Sequence, residues 1–106
     1  MKKFKDHLEE APGDSIITQK RSGSHTLGIL RTFEGKYHVF IYTGNPGQYN
    51  PKSIKTPLNF RLSAPSSLQK AQRLLFKASA LAITMDHPHE ILIMAKEDYN
   101  PNDPGS

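Results

Sequence analysis

The amino-acid sequence predicts an α+β fold: a small, mostly antiparallel sheet, a three-strand meander plus a C-terminal strand, with one long amphipathic helix packed on a face. Three observations carry this. Residues 68–86, "LQKAQRLLFKASALAITMD", repeat apolar side chains at helical period. Residues 15–43 instead break into short apolar runs separated by Ser-Gly and Glu-Gly pairs. Finally, the whole chain is 106 residues, enough for one domain with one modest core. The expected organisation is a short N-terminal helix or arm over 1–14, a single α+β domain over 15–97 and a disordered tail over 98–106.

The first element, "KKFKDHLEE" over 2–10, places Phe4 and Leu8 on one helical face and stops at Pro12 and Gly13. At this length it needs something to dock on. "SIITQK" reads as a strand, "RSGS" as a turn, and "HTLGILRTF" with "KYHVFIY" as two strands joined by Glu34-Gly35. A two-residue link of that kind sets Phe33 opposite Lys36, Arg31 opposite His38, Ile29 opposite Phe40 and Leu27 opposite Tyr42. The next stretch, "TGNPGQYNPKSIKTP", is broken by Pro and Gly and reads as a long loop. "LNFRL" alternates as a strand does.

Ser63-Ala64-Pro65-Ser66 supplies a helix start, with Ser63 or Ser66 as cap. Steps of about 100° then align Leu68, Ala71, Leu74, Leu75, Ala78, Leu81, Ala82 and Met85 in one stripe. Lys70, Arg73 and Lys77 fall opposite that stripe, and Phe76 and Ile83 fall on a flank. Pro88 ends the helix, and "EILIMAKE" follows as an interior strand.

Charge layout narrows the function. The net charge is +4, but residues 15–85 hold ten basic side chains against one acid, Glu34. A field of that sign draws polyanions. The basic line Lys70, Arg73 and Lys77 is therefore a candidate contact for DNA or RNA phosphates, the other reading being a solvated helix back. The loop adds Lys52 and Lys55 with Tyr49 as a ring for stacking, and the hairpin adds Lys20, Arg21 and Arg31. No base-reading motif is present. An acidic protein surface is the alternative partner, with Phe76 and Ile83 as anchors for a partner or a homodimer, in the manner of regulators or inhibitors from phages and mobile elements.

Enzyme signatures are sparse. There is no cysteine, no glycine-rich phosphate loop and no serine in a hydrolase turn, and the middle of the chain has no pair of acids. No cofactor is expected. His87 and His89, between Asp86 and Glu90, are the candidate metal ligands. His25 is the candidate general acid or base. The run Lys20-Arg21-Ser22-Gly23-Ser24-His25, after a short helix and strand and leading into a hairpin, resembles the HicA-type RNA-cleaving toxins. That resemblance implies a small helix–three strands–helix domain with a histidine after Gly-Ser, hence RNA cleavage by His25. The chain departs from the family in its long Pro-rich loop, its longer second helix and the extra strand over 90–97. A cytoplasmic protein is expected, since neither a secretory leader nor a membrane span of ~20 apolar residues is visible.

Overall fold

The computed structural model describes residues 14–97. The helix expected over 2–10 and the tail over 98–106 lie outside the described residues. Four strands, β1 (Ser15–Ser22), β2 (His25–Arg31), β3 (Tyr37–Thr43) and β4 (Arg61–Leu62), form an antiparallel sheet in the order β1-β2-β3-β4. Two helices follow, α1 (Leu68–Ala82) and α2 (Pro88–Glu97). The fold is α+β, as composition and periodicity predict.

The β1–β2 hairpin turns through Gly23-Ser24, with Ser22 paired to His25. Gly23 has φ +64° and Ser24 does not take positive φ, the glycine-first pattern of a type II′ turn. β1 carries a bulge between Ile16 and Thr18, which leaves Ile17 unpaired and 44% exposed.

The second hairpin differs from expectation by one residue. Arg31 pairs with Tyr37, Ile29 with Val39 and Leu27 with Ile41. The connection is therefore Thr32–Lys36, closed by Thr32 N–H donating to the Lys36 carbonyl at 2.8 Å and Lys36 N–H donating to Thr32 Oγ1 at 3.1 Å. Gly35 takes the positive φ foreseen for it, 81°, inside this longer loop. A one-residue slip exchanges the face of every partner. The observed register collects Leu27, Ile29, Val39 and Ile41 on one face and Leu30, Phe40 and Tyr42 on the other. The first set is purely aliphatic and matches the small side chains of α1. The second is aromatic and needs room.

That room comes from Gly28. A Cβ there would stand 2.5 Å from Phe40 Cζ and 2.8 Å from Phe40 Cε2, and would strike the Thr18 carbonyl oxygen. The Phe40 ring thus lies where a side chain of β2 would otherwise be. Tyr42, Tyr49 and Phe60 join it, with Phe40–Tyr49 centroids 5.1 Å apart and Tyr49–Phe60 centroids 4.4 Å apart. The long loop over 44–60 is therefore the cover of the second sheet face, pinned by Tyr42 Oη donating to the Asn45 carbonyl at 2.8 Å.

The other face is covered by α1, whose Ala71, Ala78 and Ala82 are buried against β2 and β3. The helix starts at Leu68, capped by Ser67, which accepts from Lys70 N–H. The expected caps serve the sheet instead: Ser63 N–H donates to the Val39 carbonyl, Val39 N–H donates to Ser63 Oγ, and Ser66 exchanges backbone bonds with Tyr37. β4 is what remains of the strand expected in "LNFRL".

The C-terminal strand expected over 90–97 is instead the helix α2, which packs on α1. Pro88 opens it as its first residue, where a missing N–H is harmless, and Ile91 N–H reaches the His87 carbonyl at 3.0 Å. Glu90 in the first turn and Lys96 in the last suit the helix dipole. Ile91, Leu92 and Ala95 are buried, a helical spacing, while Ile93 and Met94 remain 42% and 45% exposed. The continuous run "ILIMA" imitates a buried strand because the helix turns two of its apolar residues outward.

Gly28→Ala tests the aromatic layer. β2 is central and buried on both faces, so the strand has nowhere to retreat. The variant is expected to lose about 2–3 kcal/mol, read as a lower urea midpoint at unchanged slope.

Candidate functional site

Alternation along the strands sorts the predicted basic residues. Lys20 pairs with Leu27 and so shares the helix-covered side of the sheet, as does Arg31, opposite Tyr37. Arg21 pairs with Thr26 and points to the loop side. Its Nε donates to the Gly23 carbonyl at 3.1 Å and its Nη1 to Asn45 Oδ1. Lys52 and Lys55 are exposed on the loop between Tyr49 and Phe60, their backbones held in tight turns by Asn50 and Ser53. The nine residues of the expected nucleic-acid surface therefore do not form one patch.

Tyr49 leaves that set. It is 9% exposed and its ring is enclosed by Phe40, Tyr42 and Phe60. A ring committed to the core offers no free face to a base. Burial, and secondarily the negative charge of Asp14, holds its phenol above the ordinary value of 10.0.

His25 is 1% exposed. Its Nε2 donates to the Met85 carbonyl at 2.9 Å, since a carbonyl oxygen only accepts. Nδ1 then accepts from the Thr43 hydroxyl at 3.4 Å, and Thr43 Oγ1 accepts from Asn59 Nδ2 at 3.3 Å. Both ring nitrogens are thus engaged and no surface reaches them. This histidine ties the β1–β2 turn to the segment after α1, a structural task, and Ser22 Oγ does the same by donating to the Ser79 carbonyl at 2.6 Å. The catalytic role implied by the Gly-Ser-His resemblance has no accessible base here. His87 and His89 are exposed on either side of Pro88. Among the described residues no group of three His, Cys, Asp or Glu side chains is placed to hold a metal ion.

α1 keeps its three basic residues on the outside. Lys70 is exposed and Arg73 and Lys77 are half-buried. The helix carries no acid, none in its first turn and no base in its last. Lys70 sits in the first turn, where the helix dipole disfavours a cation. The charge order of α1 therefore works against the helix rather than for it. Phe76 and Ile83 lie one above the other, 73% and 67% exposed. Near them the buried Ser79 hydroxyl has no hydrogen-bond partner among the described residues.

Sequence reasoning missed one feature. A concavity of about 450 Å³ opens between the stretch from Arg61 to Ser66, the first turns of α1, and α2. Leu62, Leu74, Leu92 and Ile93 line it, with Arg61, Lys70, His89 and Lys96 among its polar groups. A strand over 90–97 hides it, because only a helix aligns His89, Leu92, Ile93 and Lys96.

Comparison of the chain with protein-family models, with curated proteins and with solved structures finds no match. No helix among the described residues is long and apolar enough to cross a membrane.

The alkaline behaviour of Tyr49 checks its placement. A phenol whose folded pKa is raised contributes stability that is complete below the unfolded value of 10.0 and is lost as pH rises through the folded value. The wild type is expected to lose stability as pH climbs past that unfolded value, and Tyr49→Phe to lose less over the same range, in parallel denaturant titrations.

Proposed function

We propose that the protein is a non-enzymatic nucleic-acid-binding accessory domain that meets phosphates with the outer face of α1. The observation that carries this reading is the charge order of that helix: three bases, no acid, and a lysine at the end where the dipole opposes it. A helix that carries bases and no acid on its own residues presents one sign of charge along its outer face, the sign that a phosphate chain seeks. From Lys70 to Lys77 the helix rises about 10 Å, which spans roughly three nucleotides of one strand at 3.4 Å each. Lys20 and Arg31, on the helix side of the sheet, extend the same field, and Lys52 and Lys55 stand apart from it. Affinity then comes from the backbone of the nucleic acid and depends steeply on salt, with little sequence preference.

A second reading rests on Phe76 and Ile83. Two large exposed apolar side chains beside a buried Ser79 hydroxyl that has no hydrogen-bond partner among the described residues suit a protein partner or a second copy of the chain.

Binding to mixed-sequence duplex DNA, single-stranded DNA and RNA between about 50 and 200 mM salt tests the first reading. Arg73→Ala with Lys77→Ala is expected to weaken binding on all sequences alike and to flatten the log–log salt slope by about 1.4–1.8. Wild-type affinity in that double variant defeats the proposal. Phe76→Asp separates the second reading. With its side chain already exposed, the variant is expected to stay within about 0.5 kcal/mol of wild-type stability. It should retain nucleic-acid binding and lose any protein partner or dimer seen by sedimentation.

A further inference from the structure

We propose that the concavity between β4, α1 and α2 binds a free small aliphatic anion, a medium-chain carboxylate in its simplest form. Its size, about 450 Å³, lies within the range of small-molecule sites. The chemistry of its walls defines the occupant in two parts.

The body must be aliphatic. Leu62, Leu74, Leu92 and Ile93 line the concavity, and Leu62 and Ile93 keep 43% and 42% of their surface exposed. No Phe, Tyr or Trp lines the groove, so a nucleobase finds only the His89 imidazole and the Arg61 guanidinium to stack on. A phosphodiester chain has no apolar body to cover these leucines.

The head must be anionic. Arg61, Lys70 and Lys96 come from three separate elements and meet in one concavity, with His89 beside them and no carboxylate among the lining residues. Arg61 Nη1 donates to the neighbouring Phe60 carbonyl, a neutral acceptor. Arg61, Lys70 and Lys96 are all exposed, so an incoming carboxylate finds cations from three elements and no competing carboxylate among the lining residues. Arg61 has the fork geometry that receives a carboxylate through two parallel hydrogen bonds.

This inference does not rest on the nucleic-acid reading. Lys70 belongs to both surfaces, but Arg61 and Lys96 stand outside the proposed phosphate contact, and Arg73 and Lys77 stand outside the groove. The two double variants therefore report separately.

The test is a two-dimensional amide NMR titration of the full chain with decanoate, with acetate and decyltrimethylammonium as controls. Decanoate is expected to shift the amides of Leu62, Leu74, Leu92 and Ile93, and to half-saturate at a concentration about tenfold below either control. Arg61→Gln with Lys96→Gln, its dispersion showing a folded chain, is expected to raise that concentration about tenfold. Four outcomes overturn the proposal: no shifts at these residues, equal binding of the cationic detergent, unchanged binding in the double variant, or a response to phosphatidylglycerol vesicles or an acidic leucine-rich peptide but none to monomeric decanoate.

Discussion

The Phe40 ring over Gly28 is the contact on which the architecture turns. β2 has no side chain at that point, so the aromatic ring of β3 lies against its backbone. Phe40 then becomes the centre of a layer completed by Tyr42, Tyr49 and Phe60. Two of those rings belong to the connection after β3. A segment rich in proline and glycine is thereby ordered by its aromatic residues rather than by backbone pairing. A small sheet usually leaves one face to water. Here both faces of β2 and β3 are buried, one under alanines and leucines of α1, the other under the loop.

Double coverage sets the distribution of charge. Alternating strand positions on β2 and β3 are taken up by the two cores, so charged residues are driven to β1, the exposed end of β2, β4, the turns, the loop and the outer faces of the helices. The basic side chains consequently divide between two sides of the molecule instead of surrounding it evenly. The helix side receives the denser share, including Lys20, Arg31, Lys70, Arg73 and Lys77. It also holds the concave junction that Arg61, Lys70 and Lys96 help to line. The proposed phosphate surface and the proposed anion groove are neighbouring consequences of one layout.

The end of α1 is held by polar groups rather than by bulk. His25, reaching the Met85 carbonyl, and Ser22, reaching the Ser79 carbonyl, accept the job of satisfying helix and post-helix carbonyls from the hairpin side. Gly23 fits against the Ala82 carbonyl, where a Cβ would come within 2.5 Å of the oxygen. The Gly-Ser-His run that resembles a catalytic motif is here a joint between layers. A histidine at a turn reads the same in sequence whether it faces solvent or a carbonyl, because the partner lies 60 residues away.

Much of the fold was legible in the chain itself. The period of 68–82 specified an amphipathic helix, the short runs over 15–43 specified a meander, and Gly23 and Gly35 marked the turns, all through local backbone preference and side-chain alternation. The basic, acid-free back of α1 was equally plain, since a helical wheel needs no tertiary information. What the tertiary structure decided was everything set by distant partners. The hairpin register followed from the need to seat Phe40 on Gly28. The state of 90–97 followed from packing against α1, as an unbroken apolar run is compatible with strand or helix. Tyr49 and His25 were withdrawn into the interior by residues far along the chain. The groove arose only when three elements of unlike sequence were brought to one place, and a linear pattern carries no record of such a meeting.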